Sequence, residues 1–307
     1  AARGLLDDAA VLEIGGARQL DDDAAVIEVG GATLVLTHDM LAEGVHFLPD
    51  DPPQDVAWKL VAVNLSDIAA KGARPIGVLL GFPLGDESWD RAFVDGLGAA
   101  LGAFSVPLLG GDTVKAPRVL GLTAIGQADG PVPARSGAGA EDRLWVTGSI
   151  GDAGAGLRML KGEAAADSAL VERYRKPRPR IDAGQALAPL VSAMMDVSDG
   201  LLLDASRMAG ASGLRAEIEL DRIPLSAAFV GAFGEEREAR VAAATAGDDY
   251  ELLFAAPASR DAELLDLSER LDLPFTRVGT MRSGSGLGLT HAGAALPVPA
   301  RLGWEHG

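Results

Sequence analysis

The sequence predicts an α/β (α+β) protein of two domains, and three observations carry that expectation. The chain has 307 residues, more than a single hydrophobic core usually serves. Both halves alternate short apolar runs with longer stretches of helical periodicity, the pattern of mixed α/β layers. Between the halves lies GPVPARSGAGAED (130–142), rich in Pro, Gly and Ala, which reads as a linker. The division is placed there, giving domains 1–134 and 135–307.

In the N-terminal half, AAVIEV (24–29) and TLVLT (33–37) read as strands joined by Gly30-Gly31, a hairpin signal. DVAWKLVAVNLSDIAA (55–70) reads as a helix with Asp55 as N-cap and Gly72 as stop. A buried strand is expected at 76–82, a helix at 88–103 capped by Ser88, and strands at 106–109 and 119–126. The second half opens with a strand, RLWVTG (143–148), and a helix from Asp152. The basic turn RKPRPR (175–180) precedes another helix. MMDVS (194–198) is a short strand, and YELLFAA (250–256) is the clearest of the later ones. LLDDAAVLEIGGA (5–17) recurs as LDDDAAVIEVGGA (20–32). A repeat so short and local is a tandem duplication of one strand-plus-turn unit, not a solenoid.

Composition narrows the function classes. A formal net charge of −17 repels nucleic acid. The absence of Cys excludes disulfides, thiolate metal sites and Cys nucleophiles. No apolar run reaches the roughly 18–20 residues of a membrane span. The first residues, AARGLLDDAA, carry acid where a secretory signal has a basic region, so a cytoplasmic enzyme is the expected class. Most of the acid serves solubility. Several Asp, however, sit beside Gly or Ser at the ends of apolar runs, where carboxylates suit a hard cation such as Mg²⁺.

Common catalytic motifs are missing. Without a Gly-Lys dipeptide there is no GxxxxGK[ST] phosphate loop, and neither HExxH nor GxSxG occurs. GDAGAG (151–156) has the wrong glycine order for a dinucleotide fingerprint and reads better as a helix cap. What remains is a series of acidic motifs: Asp22-Asp23, Thr37-His38-Asp39, Asn64-Leu65-Ser66-Asp67, Gly110-Gly111-Asp112-Thr113, Asp196-Val197-Ser198-Asp199-Gly200 and Gly247-Asp248-Asp249-Tyr250. Singly, each suits a cap or a turn. Asp67 stands out because an acid inside an apolar helix is costly to bury unless it is paired or binds metal. Converging carboxylates would hold cations that neutralise a polyphosphate, which is what phosphoryl transfer to an anionic acceptor requires.

THDMLAEGVHFLPD (37–50), AWKLVAVNLSDIAAKGARP (57–75), LLGGDT (108–113), RSGAGAEDRLWVTG (135–148), DVSDGL (196–201) and GDDYELLF (247–254) occur in this order. As a set they resemble the thiamine-monophosphate kinase family, from about residue 20 to Trp304. The resemblance implies ATP-dependent, Mg²⁺-dependent phosphorylation of thiamine monophosphate by direct in-line transfer. It implies the PurM-like fold of the aminoimidazole-ribonucleotide-synthetase superfamily. In that fold an N-terminal α/β domain forms a dimeric β-barrel with a second subunit, and the C-terminal domain is an α/β sandwich. The alternatives are another ATP-using enzyme of the superfamily, one like aminoimidazole-ribonucleotide synthetase, or a non-catalytic nucleotide-binding homologue.

By motif, the resemblance implies metal ligands at Asp23, Thr37, His38 (through its carbonyl), Asp39, Asp67, Asp112, Asp196 and Asp199. Asp39 and Asp112 would bridge metal and phosphate oxygens as the catalytic pair. ATP contacts would be Phe104 near the base, Gly111, Asp112, Arg135 and Ser198; substrate contacts would be His46, Asp248 and Trp304. The chain departs from the family pattern at Asp21, where Gly is usual, at Asp248, where Glu is usual, and at Trp304, where Tyr also occurs. The duplication offers Asp7-Asp8 as a rival to Asp23; the shorter route to Asp39 favours Asp23. A homodimer is expected, with neither nucleic-acid nor membrane partners.

Overall fold

The computed structural model describes residues 24–305; Asp23, its rival Asp8 and the first copy of the repeat lie outside the described residues. Among the described residues, the N-terminal sheet comprises β1 (Ala25–Val29), β2 (Ala32–Ala42), β3 (Arg74–Leu84), β4 (Leu108–Lys115) and β5 (Val119–Ala128) in the order β1-β2-β5-β3-β4. Gly30 and Gly31, at φ 58° and 84°, make the turn between β1 and β2, a conformation that right-twisted hairpins prefer and that glycine adopts freely. The helices α1 (Pro53–Ala70) and α2 (Glu87–Ala103) pack together against this sheet.

The second sheet contains β6 (Arg143–Thr147), β7 (Ala193–Asp196), β8 (Leu214–Glu219), β9 (Leu252–Ala256), β10 (Phe275–Ser283), β11 (Gly286–His291) and β12 (Ala294–Leu296), in the order β12-β11-β8-β10-β6-β9-β7. Around it run α3 (Asp152–Leu160), α4 (Ser168–Arg175), α5 (Ile181–Leu187), α6 (Leu201–Ala211), α7 (Ala227–Phe233), α8 (Arg237–Ala244) and α9 (Asp261–Arg270). Both faces of its central strands are buried. Leu144, Val146, Leu253 and Ala255 pack with α6 residues on one side; Trp145, Leu252 and Phe254 pack with Leu187, Leu264 and Leu267 on the other. Period-2 alternation thus feeds two cores from continuous apolar strands.

The architecture is mixed α/β, as predicted, with element boundaries displaced by capping and pairing. Asp55 lies in the first turn of α1, whose cap is Pro52, and α2 is capped by Asp86, which accepts the Ser88 and Trp89 N–H groups. β2 continues through Thr37-His38-Asp39 to Ala42 because every residue from Thr33 to Ala42 pairs with β5. Gly110 to Thr113 likewise lie inside β4, paired to β3. The N-terminal sheet is open, with β1 and β4 at its edges, and no closed barrel forms among the described residues.

One helix belongs to both halves. Every residue of α1 from Lys59 to Ala70 is buried. A helix enclosed between layers is apolar on most of its surface, and here the polar exceptions are Lys59, Asn64, Ser66 and Asp67. Leu60, Leu65 and Ile68 join the N-terminal core, while Ala69 and Ala70 join the core of the second sheet. Burying each of the large side chains contributes about 1.5–3 kcal/mol. The basic turn after α4 fastens the start of the same helix: Arg175 pairs with Asp51 at 2.8 Å, Lys176 with Asp55 at 3.0 Å, and the Trp58 indole donates to the Pro177 carbonyl at 3.0 Å.

Candidate active site

A cavity of about 950 Å³ opens where α1 and β2 face the loops of the second half. Its walls include Asp39, His46, Asp67, Arg135, Asp196, Ser198, Asp199, Asp248 and Trp304, nine of the residues singled out from sequence.

The polar groups of α1 organise this wall. Asp67 accepts a 2.5 Å hydrogen bond from the Thr37 hydroxyl, and Ser66 donates at 2.6 Å to Asp196 at the end of β7. Asn64 accepts the Asp39 N–H at 2.9 Å and returns its own N–H to the Leu60 carbonyl. A single turn of helix thereby fixes acids from β2, from itself and from β7. Burying such groups is tolerated because each is hydrogen-bonded.

Two loops complete the far wall. Asp204, in the first turn of α6, accepts N–H bonds from Ser198, Asp199 and Gly200 at 3.1 to 3.2 Å, which sets the course of the 197–200 turn. Arg207 pairs with both Asp199 and Asp204. The 247–250 loop lies alongside, its Asp248 and Tyr250 N–H groups donating to the Ser198 and Val197 carbonyls at 2.8 Å. The Trp304 N–H donates to the Asp199 carbonyl at 2.8 Å. A Cβ on the preceding Gly303 would stand 2.3 Å from that same carbonyl oxygen, so only glycine lets the tail approach so closely. His46 accepts the Ala42 N–H at Nδ1, 3.0 Å away, which places the proton of the neutral ring on Nε2.

The remaining predicted residues stand apart from this cavity. His38 is exposed, its Nδ1 2.9 Å from the Thr123 hydroxyl. Phe104 caps α2 and packs on Trp58 with ring centroids 5.0 Å apart. Gly111 and Asp112 lie on the exposed strand β4, where Asp112 accepts the Thr113 N–H. Asp112 shares the sheet row Met40–Gly121–Gly81–Asp112. In that row Met40, the neighbour of Asp39, stands three strand spacings, about 14 Å, from Asp112.

Several residues on or behind the cavity wall were given no role from the sequence. Lys59, 2% exposed, donates to Asp248 at 2.8 Å and to the His46 carbonyl at 3.0 Å. Helical spacing was the available signal: Lys59, Val63 and Asp67 recur every four residues and so share one face. Tyr250 lines the cavity too, its phenol 3.2 Å from Asp248. Burial pushes this phenol well above the ordinary range, and the surrounding Asp248, Asp39 and Asp196 push it the same way. Arg158, Lys161, Arg207 and Arg301 add positive charge to the walls.

The donor set fits a hard cation that arrives with a ligand. Among the described residues, no three or more His, Asp or Glu side chains are gathered to hold a metal ion by themselves. Mg²⁺ characteristically takes one or two carboxylates and completes its shell with water and phosphate oxygens, a role that dispersed acids facing one cavity can fill. Among the described residues no helix is long and apolar enough to cross a membrane.

Comparison with known proteins agrees with this architecture. The AIR synthase related protein N-terminal domain matches residues 21–128, and the corresponding C-terminal domain matches residues 139–292. The thiamine-monophosphate kinase of Caulobacter vibrioides is 40% identical, over 99% of this chain and 85% of the relative. That of Escherichia coli strain K12 is 38% identical, over 89% of this chain and 85% of its own length. The crystal structure of the thiamine-monophosphate kinase from Stenotrophomonas maltophilia K279a superposes with a TM-score of 0.80 at 38% identity, covering 91% of this chain and 92% of that one. AaThiL complexed with AMPPCP and TMP also gives 0.80, at 31% identity, covering 94% and 92%. With similarity of this extent in both sequence and fold, the chain belongs to the thiamine-monophosphate kinase family.

Proposed function

We propose that this protein transfers the γ-phosphoryl group of ATP to the phosphate of thiamine monophosphate, yielding thiamine diphosphate and ADP. The observation that carries the reading is the single cavity in which Asp39, Asp67, Asp196 and Asp199 face His46, Asp248 and Trp304. The relatives named thiamine-monophosphate kinase, and AaThiL complexed with AMPPCP and TMP, support it.

In this reading Asp39, Asp67, Asp196 and Asp199 hold Mg²⁺, joined by Asp23 and the Thr37 and His38 positions. When bound, Mg²⁺ would screen the charge of the two phosphate groups that must approach each other. Arg135 and Ser198 take nucleotide phosphate oxygens. Trp304 offers an aromatic face to the cationic or heteroaromatic part of the acceptor, His46 offers its Nε2–H, and Asp248 its carboxylate. An oxygen of the acceptor phosphate forms a bond to the γ-phosphorus as the bond to the β–γ bridging oxygen breaks, so ADP leaves in line and no phosphoenzyme is needed.

The reading includes a second copy of the chain. The edge strand β4 is exposed along its whole length, with Leu108, Leu109 and Val114 at the surface, and such an edge needs covering. Pairing of two N-terminal sheets would form the shared barrel, with Gly111, Asp112 and Phe104 meeting the nucleotide at that face. We place the domain division at 134/135 and the protein in the cytoplasm. The test is incubation with ATP, Mg²⁺ and either thiamine monophosphate or free thiamine. Thiamine diphosphate is expected from the monophosphate alone; its absence, or equal turnover of free thiamine, overturns the reading.

A further inference from the structure

We infer that Lys59 is the positioning residue of the acceptor site: its buried ammonium fixes the Asp248 carboxylate in one orientation and ties the loop carrying it to the loop carrying His46. The inference rests on the functional reading above, in which Asp248 and His46 meet the thiamine phosphate.

The geometry is complete on every side. Lys59 Nζ donates to Asp248 Oδ2 at 2.8 Å and to the His46 carbonyl at 3.0 Å, and it sits 4.0 Å from the centroid of the Tyr174 ring in α4. The other Asp248 oxygen, Oδ1, accepts from the Tyr250 phenol at 3.2 Å. Both oxygens of a carboxylate that is 30% exposed to the cavity are therefore held from behind, by groups that are themselves buried. A lysine is expensive to remove from water unless its charge is matched; here a carboxylate, a carbonyl and an aromatic face share it.

The backbone of the held loop explains why it needs holding. Asp248 and Tyr250 have φ values of 71° and 51°, in the left-handed region that side chains larger than glycine rarely occupy, least of all an aromatic one. Such strain persists only where surrounding contacts over-determine it, and it concentrates at functional sites. The bonds to the Ser198 and Val197 carbonyls fix the loop toward the second half; Lys59 fixes it toward α1. One cation thereby joins acceptor contacts from both halves of the chain, and its position sets where the thiamine phosphate lies relative to the acids of α1 and β2.

The test is steady-state kinetics of the wild type, Lys59→Met, Asp248→Asn and the double variant, with thiamine monophosphate and ATP varied in turn. Losing a hydrogen bond to a charged group predicts that Lys59→Met raises KM for thiamine monophosphate about tenfold or more, with KM for ATP within about twofold. In the Asp248→Asn background the same substitution should add less than about twofold, because residues that act as one unit are not additive. An unchanged KM for thiamine monophosphate, an equal rise in both KM values, or effects that multiply in the double variant would each overturn the inference. If Lys59→Met does not fold, comparison of Asp248→Asn with the double variant decides, since neither retains an unmatched carboxylate. Equal KM values there support the inference and a further large rise refutes it. A wild type that makes no thiamine diphosphate refutes the functional reading, and the inference with it; an active wild type matched by Lys59→Met refutes the inference alone.

Discussion

Ser66 in α1 and Asp196 at the end of β7 lie 130 positions apart in sequence, and the serine hydroxyl donates a 2.6 Å hydrogen bond to the aspartate carboxylate with both side chains buried. The bond crosses from the helix of one half to the sheet of the other. It orients an acid that we place among the Mg²⁺ ligands, in the manner of outer groups that steer metal-binding carboxylates. Ser66→Ala should therefore raise the Mg²⁺ concentration giving half-maximal activity about tenfold or more. A Mg²⁺ titration of the purified variant measures this; an unchanged midpoint would show that the bond serves packing only.

Asp67 provides the sharper test of transition-state stabilisation. An asparagine there still accepts from the Thr37 hydroxyl, so the 2.5 Å contact has a neutral replacement and the fold should hold. The lost charge should lower kcat on the order of 10²-fold. Circular dichroism checks the fold and steady-state assay the rate; a soluble variant with wild-type kcat removes Asp67 from the machinery.

Asp249 gives a pH dependence of stability. Burial holds its carboxyl well above the ordinary value of 3.8, and Asp152 and Glu251 push it further up against the Gly151 and Ala153 N–H groups. An acid raised in the folded state favours the protonated form there. Its stabilisation is complete below the ordinary value and is lost as pH rises through the folded-state value. Asp249→Asn removes this titration. The melting temperature of the variant minus that of the wild type should grow from about pH 4 to about pH 8. Scanning calorimetry across that range reads the difference, and a flat line contradicts the assignment.

Val114 probes the second copy of the chain. It is 58% exposed on β4, and a glutamate there would place charge in the proposed seam, as natural edge strands do to prevent pairing. Light scattering at micromolar protein should give a dimer for the wild type and a monomer for Val114→Glu. A monomeric wild type counts against the shared barrel.

Much of this was legible in advance because the informative residues were locally conspicuous. Gly30-Gly31 marked a hairpin, and the acidic motifs pointed to Asp39, Asp67, Asp196 and Asp199, which share one cavity. Errors arose where non-local pairing decided. Nothing near Thr37-His38-Asp39 indicates that β5 carries the strand on to Ala42, and nothing near Asp112 reveals that β4 runs through it. Lys59 escaped notice for a different reason. In one dimension it is a basic residue near the start of a helix, where exposure is the ordinary expectation. Its burial depends on α4, which supplies Tyr174, and on the 247–250 loop, neither of which is near it in the chain.

The helix enclosed by both sheets also limits how the protein can move. Two layers that share a buried helix, with its first turn pinned by Arg175, Lys176 and Pro177, are joined by packing as well as by the 130–142 connection. Opening the cleft as a pair of jaws would strip Leu60, Leu65 and Ile68 from one core or Ala69 and Ala70 from the other. The stretch around His46 and the segment bearing Trp304 border the cavity from outside this enclosed helix. The tail is tied to the cavity wall through a backbone hydrogen bond from Trp304 to Asp199, and its indole remains 43% exposed. Short pieces of this kind can shift without unpacking the buried face of α1, which the layers themselves cannot do.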